Sequence, residues 1–266
     1  MAASTPLITF TADVEDYAPP GEALRAPDVI DQLLEFLAAR SIRGTFFVVG
    51  ELAASMSSAV RAIAAGGHEI GLHGWQHRPL PEIEAATLLA DLRRGRDTLE
   101  QLAQQPVIGF RAPMFSLVPD AHAALDALVE SGFTYSSSVL PARSMLWGDP
   151  TAPRHPFRWP NGLHELPCPI ATFAGLANPY LGGAYLRVLP HAFVRFGLAR
   201  SSPEEILWLY CHPYDLDAGE PFRPRPELGR FSRLMWLGRS RMLRKIDKVL
   251  AGRSAPPLRE RLAAAN

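Results

Sequence analysis

The sequence contains few cysteines and no excess of charge of either sign. Its two cysteines, Cys168 and Cys211, are too few for a disulfide framework. The 27 Lys and Arg residues equal the 27 Asp and Glu residues, which argues against a nucleic-acid-binding protein because such proteins normally carry a basic excess. Hydrophobic residues make up 47% of the chain, so a large core can form and a disordered protein is excluded.

Long apolar runs are also missing. No stretch approaches the roughly 18 apolar residues of a membrane span, and the opening MAASTPLITFTADVEDY has neither a basic segment nor an apolar run of signal-peptide length. We therefore expect a cytoplasmic protein. The length of 266 residues fits one large α/β domain or two small ones.

Strand-like apolar runs alternate with amphipathic helical patterns along the chain. Strands are predicted at 7–13, 44–50, 107–113, 133–139 and 205–213, and helices at 27–40, 51–67, 81–103, 119–132 and 189–201. This alternation predicts a parallel α/β sheet or barrel. Residues 140–183 are rich in Pro and Gly, so we expect them to form long loops over the mouth of the barrel.

Polar side chains recur where the predicted strands end. Functional groups of an α/β barrel gather at the C-terminal ends of its strands, so these side chains are expected to meet. The set comprises Asp13, Glu15, Asp16, His73, His77, Arg111 and His212.

The residue types in this set suit metal-assisted hydrolysis of an amide or ester. Two histidines at a spacing of four, His73 and His77, form with one carboxylate a common catalytic zinc ligand set that leaves a position open for water. A second carboxylate takes a proton from water, a further histidine protonates a leaving amine, and an arginine keeps the base ionised. Zinc is the default metal, and cobalt or nickel is also compatible.

Five ordered motifs resemble the polysaccharide deacetylases of carbohydrate esterase family 4, the superfamily of the nodulation-type chitooligosaccharide deacetylases. They are TADVEDY (11–17), GTFFVVGELA (44–53), GHEIGLHGWQH (67–77), GFRAPMFSL (109–117) and LWLYCHPYDLD (207–217). Other stretches, such as GGAYLRVLP (182–190) and WLGRSRMLRKIDKVL (236–250), resemble the branch associated with exopolysaccharide and exosortase loci. The resemblance implies a distorted (β/α)7-type barrel with long loops over the C-terminal face of the strands.

The resemblance also implies roles at matching positions. Asp13 is the expected general base, braced by Arg111, and His73 and His77 are the expected metal ligands. His212 is the expected general acid. Two aromatic residues, Tyr17 and Phe115, are expected to line the sugar groove, or else to be structural.

This chain departs from the family pattern at two places. The usual metal-binding aspartate next to the base is Val14 here, so the third ligand is Glu15 or Asp16. Strand alternation puts Asp13 and Glu15 on one face, but a turn before Tyr17 would bring Asp16 inward, and we favour Asp16. The aspartate that tunes the acid histidine is replaced by Ser136, so either Asp215 or Asp217 substitutes for it or His212 is untuned.

Further sugar contacts are expected from the loop region. The segment 182–190 is predicted to be a substrate-facing loop, with Arg187 near the sugar or its phosphate. Trp147 and Trp159 either stack on sugar rings or cover the edge of the core.

The C-terminal segment 221–261 carries twelve Lys or Arg and three acids. Its helix either packs an apolar face (Leu234, Leu237, Met242, Ile246 and Leu250) on the barrel or lies on the inner membrane face.

We predict a single catalytic domain over 1–266, with a core at about 5–217 and a basic helical extension at about 221–261. The predicted function is metal-dependent removal of N-acetyl groups from amino sugars of a polysaccharide or its precursor, in exopolysaccharide biosynthesis. Two alternatives remain: an amidohydrolase acting on a small non-sugar amide, and a catalytically silent glycan-binding homologue. The oligomeric state stays open.

Overall fold

The strands of the central sheet come from nearly the whole length of the chain. A computed structural model describes residues 5–19, 21–121, 123–144, 147–224 and 232–265. The sheet strands are β1 (Ile8–Val14), β2 (Gly44–Val48), β3 (Glu69–Leu72), β4 (Gly109–Phe110), β5 (Tyr135–Ser136), β6 (Phe157–Arg158), β7 (His164–Glu165), β10 (Leu207–Cys211) and β11 (Ser254–Ala255); β8 (Ile170–Phe173) and β9 (Leu176–Pro179) form a separate hairpin.

The sheet order is β10-β1-β2-β3-β4-β5-β7-β6, with β11 also paired to β1. All neighbours are parallel except β6 and β7. The prediction of an α/β fold with a distorted barrel is therefore confirmed, and the sheet is curled with an open strand path among the described residues. The first residue of β2, Gly44, has no room for a side chain, because a Cβ atom there would lie 2.4 Å from the carbonyl oxygen of Phe10.

The helices cover the outside of the sheet. They are α1 (Ala26–Ala38), α2 (Gly50–Ala53), α3 (Ser57–Ala65), α4 (Ala85–Ala103), α5 (Ala123–Glu130), α6 (Gly183–Val188), α7 (His191–Leu198), α8 (Pro213–Leu216), α9 (Met242–Leu250) and α10 (Leu258–Ala265). In α1, Val29, Ile30, Leu33 and Leu37 share one buried face, which is the spacing of an amphipathic helix. Within the described part of the chain, no helix is both long and apolar enough to cross a bilayer.

Three predictions about local structure were wrong. The helix predicted over 51–67 is divided into α2 and α3, which are separated at residues 54–56. The region predicted as loops over 140–183 contains β6 to β9, and the segment 182–190 contains α6 instead of a substrate-facing loop. Short strands of two to four residues leave little periodicity in a sequence, so the pattern did not reveal them.

The basic C-terminal segment is integrated into the barrel. β11 pairs with Ile8 and Thr9 of β1, and Met242, Ile246 and Leu250 of α9 are buried in the core. Of the apolar face predicted to pack on the barrel, Met242, Ile246 and Leu250 do so, whereas Leu234 and Leu237 are 44% and 50% exposed. The part of the segment at 225–231 lies outside the described residues. Both cysteines are free and buried.

Candidate active site and metal centre

The first carboxylates of the site lie at the C-terminal end of β1. Asp13 and Glu15 are each only 3% exposed, and both face the interior of the barrel mouth. The separation of two residues in an extended chain puts their side chains on the same face. The carboxylate of Glu15 lies beside His77, with 2.6 Å between Oε2 and Nε2.

His73 and His77 lie in a tight turn that follows β3. Gly74 in this turn has a φ of +73°, a conformation that favours glycine. Carbonyl groups of the turn accept hydrogen bonds of 2.9 Å from the first two N–H groups of α2, which would otherwise lack helical partners. The turn therefore has a fixed shape, and the two imidazole centroids are 5.2 Å apart.

Glu15, His73 and His77 can hold a metal ion. Each offers one ligand atom, and these atoms lie within 4.8 Å of one another. Nδ1 of His73 lies 2.9 Å from the carbonyl oxygen of Arg111; donation of its proton there leaves Nε2 as the ligand atom. Two imidazoles and one carboxylate are a donor set that fits a divalent metal with an open coordination position.

Asp16 has a different task, and the preference for it as the third ligand was wrong. Its Oδ1 accepts a hydrogen bond from the backbone N–H of Ala18, and its Oδ2 accepts from those of Arg25 and Ala26, all at 2.7 Å. Both carboxylate oxygens are thus committed to the loop that leads into α1. Among the described residues, the metal-capable cluster contains Glu15 and not Asp16.

Arg111 holds Asp13 inside the barrel. Its Nη1 donates to Asp13 Oδ1 at 2.7 Å and to Thr11 Oγ1 at 2.9 Å. Its side chain is completely buried, with the guanidinium carbon 4.2 Å from the ring centre of Phe47 and 4.1 Å from that of Trp208. This enclosure orients one oxygen of Asp13 toward Arg111 and leaves Oδ2 facing the site.

His212, directly after β10, completes the cluster. Its Nε2 lies 3.6 Å from Glu15 Oε1 and 3.9 Å from Asp13 Oδ2. Its Nδ1 lies 2.8 Å from Asp215 Oδ2, an oxygen that also accepts the backbone N–H of His212. The ring stacks on Tyr214 with 4.6 Å between centroids. Of the two aspartates expected near the histidine, Asp215 contacts it, whereas Asp217 pairs with Arg25.

The electrostatics of the cluster set distinct protonation states. Burial raises the pKa of Glu15, but the hydrogen bond from His77 and the charges of nearby imidazoles outweigh it and bring the pKa to about 2. Burial lowers the pKa of His73 to about 4, so this imidazole is neutral. Burial also lowers the pKa of His212, but the charge and hydrogen bond of Asp215, with Glu15 and Asp13, raise it to about 9.

Arg187 lies behind His212 and Asp215, and the expectation that it contacts sugar is corrected. Its side chain has no exposed surface, and its Nε lies 3.4 Å from Asp215 Oδ1. Its guanidinium also donates to the backbone carbonyls of Leu234 and Met235. A buried guanidinium with these partners cannot reach a substrate in the groove.

The predicted aromatic contacts divide into two groups. Tyr17 is 42% exposed at the edge of the site and its hydroxyl donates to Glu15 Oε2 at 3.1 Å. Phe115 is half-buried and packs against Trp208 and Tyr210. Trp147 and Trp159 are half-buried against the hydrophobic core, which is their structural alternative. A shallow groove beside the cluster is lined by Tyr17, Arg25, Pro213, Tyr214 and Glu220, among others.

Sequence reasoning missed two contributors to the site. Thr11 accepts from Arg111 while its own hydroxyl donates to the Leu209 carbonyl at 2.8 Å. Tyr214 stacks on His212. Their position gave a signal: Thr11 is two residues before Asp13 on the same strand face, and Tyr214 is two residues after His212.

Two family models match the chain in succession. The polysaccharide deacetylase model matches residues 5–135. Residues 5–135 belong to the polysaccharide deacetylase family. The model of a domain of unknown function (DUF3473) matches residues 137–258. Asp13, Glu15, His73 and His77 lie in the first of these regions, and His212 lies in the second.

The proteins to which this chain is similar differ in how much of it they match. A chitin deacetylase of a Pestalotiopsis species is 30% identical over 88 residues, so the match spans 32% of this chain and 30% of that protein. A provisionally assigned polysaccharide deacetylase from Mycobacterium smegmatis has a TM-score of 0.65 at 25% identity, covering 98% of this chain and 90% of that one. A carbohydrate esterase family 4 pseudoenzyme from Bacillus anthracis shares the fold, with a TM-score of 0.53 at 12% identity over 97% and 65% of the chains.

Proposed function

We propose that this protein is a metal-dependent N-deacetylase acting on N-acetylated amino sugars of a polysaccharide or its precursor, in exopolysaccharide biosynthesis. The observation that carries the proposal is the convergence of a possible metal triad, Glu15, His73 and His77, with Asp13 and His212 at one end of the barrel. The relative from Pestalotiopsis is named a chitin deacetylase. Chitin is a polysaccharide of N-acetylated amino sugars.

Glu15, His73 and His77 would hold a divalent metal, with Zn²⁺ as the first choice and Co²⁺ or Ni²⁺ as alternatives. The metal would lower the pKa of a water and polarise the acetamide carbonyl. Asp13 Oδ2 accepts a proton from the attacking water, since Oδ1 is engaged by Arg111. His212 presents its Nε2–H to the same space and donates that proton to the sugar nitrogen as the C–N bond breaks. Water and amide thereby become acetate and an amine.

His212 is prepared for proton donation by the residues behind it. The carboxylate of Asp215 fixes the ring through Nδ1 and stabilises its protonated form. Stacking on Tyr214 fixes the plane of the ring. Nε2 is therefore the nitrogen that faces Asp13 and Glu15, where the proton is needed.

We also infer one catalytic domain. β10 and β11 pair with β1, so strands from both matched regions share one sheet, and the acid histidine reaches Asp13 only through that pairing. A cytoplasmic location, as expected from the sequence, belongs to this proposal.

The experiment combines elemental analysis with acetate release from N-acetylglucosamine oligomers, before and after chelation. We expect bound metal, loss of acetate release on chelation, and recovery with Zn²⁺. Asp13→Asn and His73→Ala should each abolish turnover, while His155→Ala, which replaces an exposed histidine outside the site, should not. Near-wild-type turnover in both site variants would refute the mechanism. Sugar binding without acetate release would instead favour a silent homologue, and activity on small amides alone a non-sugar amidohydrolase.

A further inference from the structure

Large apolar side chains are concentrated on one part of the surface. Of the ten that are exposed among the described residues, six come from residues 173–188 and 234–237. Scattered exposed apolar residues are normal on a protein surface, but a cluster marks a site of interaction. Its members are Phe173, Leu176, Tyr185, Val188, Leu234 and Leu237.

These segments are neighbours in the fold. The β8–β9 hairpin turns at Ala174 and Gly175, and its tip residues Phe173 and Leu176 are 57% and 70% exposed. The ring of Phe173 packs on Phe193 and Phe196 of α7, at 6.4 and 5.5 Å between centroids. The segment 234–237 is attached to α6 through the guanidinium of Arg187, which donates to the Leu234 and Met235 carbonyls.

The same surface is strongly basic. Residues 166–203 contain no Asp or Glu, and together with 232–253 they hold ten Lys or Arg and a single acid, Asp247. That acid is paired with Arg40 at 2.6 Å. Arg187, Arg239 and Lys245 make internal contacts, and Arg253 is half-buried. The other six have exposed side chains: Arg195, Arg200, Arg233, Arg241, Arg244 and Lys248. We call residues 170–200 and 232–253 the basic apolar surface.

We propose that the basic apolar surface docks on a bilayer that contains anionic phospholipid, with Phe173 and Leu176 entering the headgroup region. Exposed apolar tips beside cations are the combination that binds such membranes, because each signal alone is weak. Leu176, Val188, Leu234 and Leu237 are aliphatic and offer no flat ring for stacking on sugar. This inference goes beyond the proposed function and does not depend on it.

The residues proposed for the membrane contact differ from those expected from the sequence, which pointed to the apolar face of the C-terminal helix. The apolar face of α9 (Met242, Ile246, Val249 and Leu250) is buried in the core, and the residues of this helix classed as exposed are the cations Arg244 and Lys248. The hairpin tip supplies the apolar part. We expect each tip side chain to contribute about tenfold to vesicle partitioning, and each cation at the surface about fivefold at low salt.

The test is flotation of the full chain with vesicles of phosphatidylcholine, either alone or with about one third phosphatidylglycerol. The wild type should float only with the anionic vesicles and should be released at about 0.5 M NaCl. Phe173→Ser/Leu176→Ser and Arg195→Glu/Lys248→Glu should each weaken binding at least about tenfold. Val129→Ser and Arg61→Glu, exposed residues of α5 and α3, are the matched controls and should bind within about twofold of wild type.

Several outcomes would overturn the proposal. They are failure of the wild type to float, and hairpin or charge variants that bind as well as the controls. Binding to an anionic polysaccharide but not to vesicles would assign the surface to a glycan. A concentration-dependent dimer abolished by Leu176→Ser would assign it to a second copy of the chain. Thermal midpoints verify folding, and Leu176→Ser alone replaces the double variant if that one unfolds.

Discussion

Replacing Glu15 and Asp16 separately by their amides distinguishes a metal ligand from a structural carboxylate. In Glu15→Gln a neutral amide replaces a carboxylate that is 3% exposed and 2.6 Å from His77. Outer-shell partners of metal ligands alone affect metal affinity by roughly 10–100-fold, so loss of the ligand itself should weaken zinc binding by at least about 100-fold. That factor corresponds to about 2.7 kcal/mol.

Asp16→Asn should affect stability and leave zinc binding intact. The aspartate accepts three backbone N–H groups at 2.7 Å, whereas an asparagine offers one acceptor oxygen and an NH2 group that cannot accept. Losing a hydrogen bond to a charged group costs about 1.5–3 kcal/mol. For a chain of this size, about 2 kcal/mol corresponds to a decrease of roughly 4–8 °C in Tm.

The assay is competition of metal-free protein with a chromogenic zinc chelator, followed by thermal unfolding in excess chelator. We expect Glu15→Gln to bind zinc more weakly than wild type, and Asp16→Asn to have a lower Tm with unchanged zinc affinity. The assignment is wrong if Asp16→Asn loses zinc while Glu15→Gln binds it like wild type. Equal loss in both variants would mean that the two carboxylates share the ion.

Two further predictions follow from the residues around the base and the acid. Arg111→Met leaves the carboxylate of Asp13 buried without its cation and should reduce the free energy of unfolding by about 3–5 kcal/mol in urea titration; a loss under about 1 kcal/mol would contradict the enclosure described above. Asp215→Asn removes the charge that raises the pKa of His212 to about 9, so the pKa should fall. Because the acid must be protonated, the alkaline limb of the kcat profile should move to lower pH; an unmoved limb would exclude His212 as the titrating acid.

Much of the site could be predicted because its residues follow strands, and strand ends of a parallel sheet converge. Strand alternation already placed Asp13 and Glu15 on one face, and the structure agrees with it. The preference for Asp16 failed because its partners, the N–H groups at residues 18, 25 and 26, depend on how the loop turns back into α1. The local sequence pattern does not indicate how this loop turns back toward α1.

The effect of Asp215 on the pKa of His212 could have been predicted from the sequence. The stretch HPYD (212–215) is typical of a helix start. Proline is favoured at the first helical position, and an acid at the third position accepts the backbone N–H of the residue before the helix. That geometry brings Asp215 to both nitrogens of His212, backbone and Nδ1. Arg187 was out of reach, because its burial results from segments more than forty residues later in the chain packing over α6.

The pairing of β10 with β1 brings the proposed proton donor to the candidate metal triad. Glu15, His73 and His77 come from the first half of the chain, while His212 and Asp215 come from the second. A fragment ending near residue 136 would keep the potential to capture a cation but could not release an amine, and its unpaired β1 edge would invite aggregation. Neither half alone contains all the groups that the proposed reaction requires.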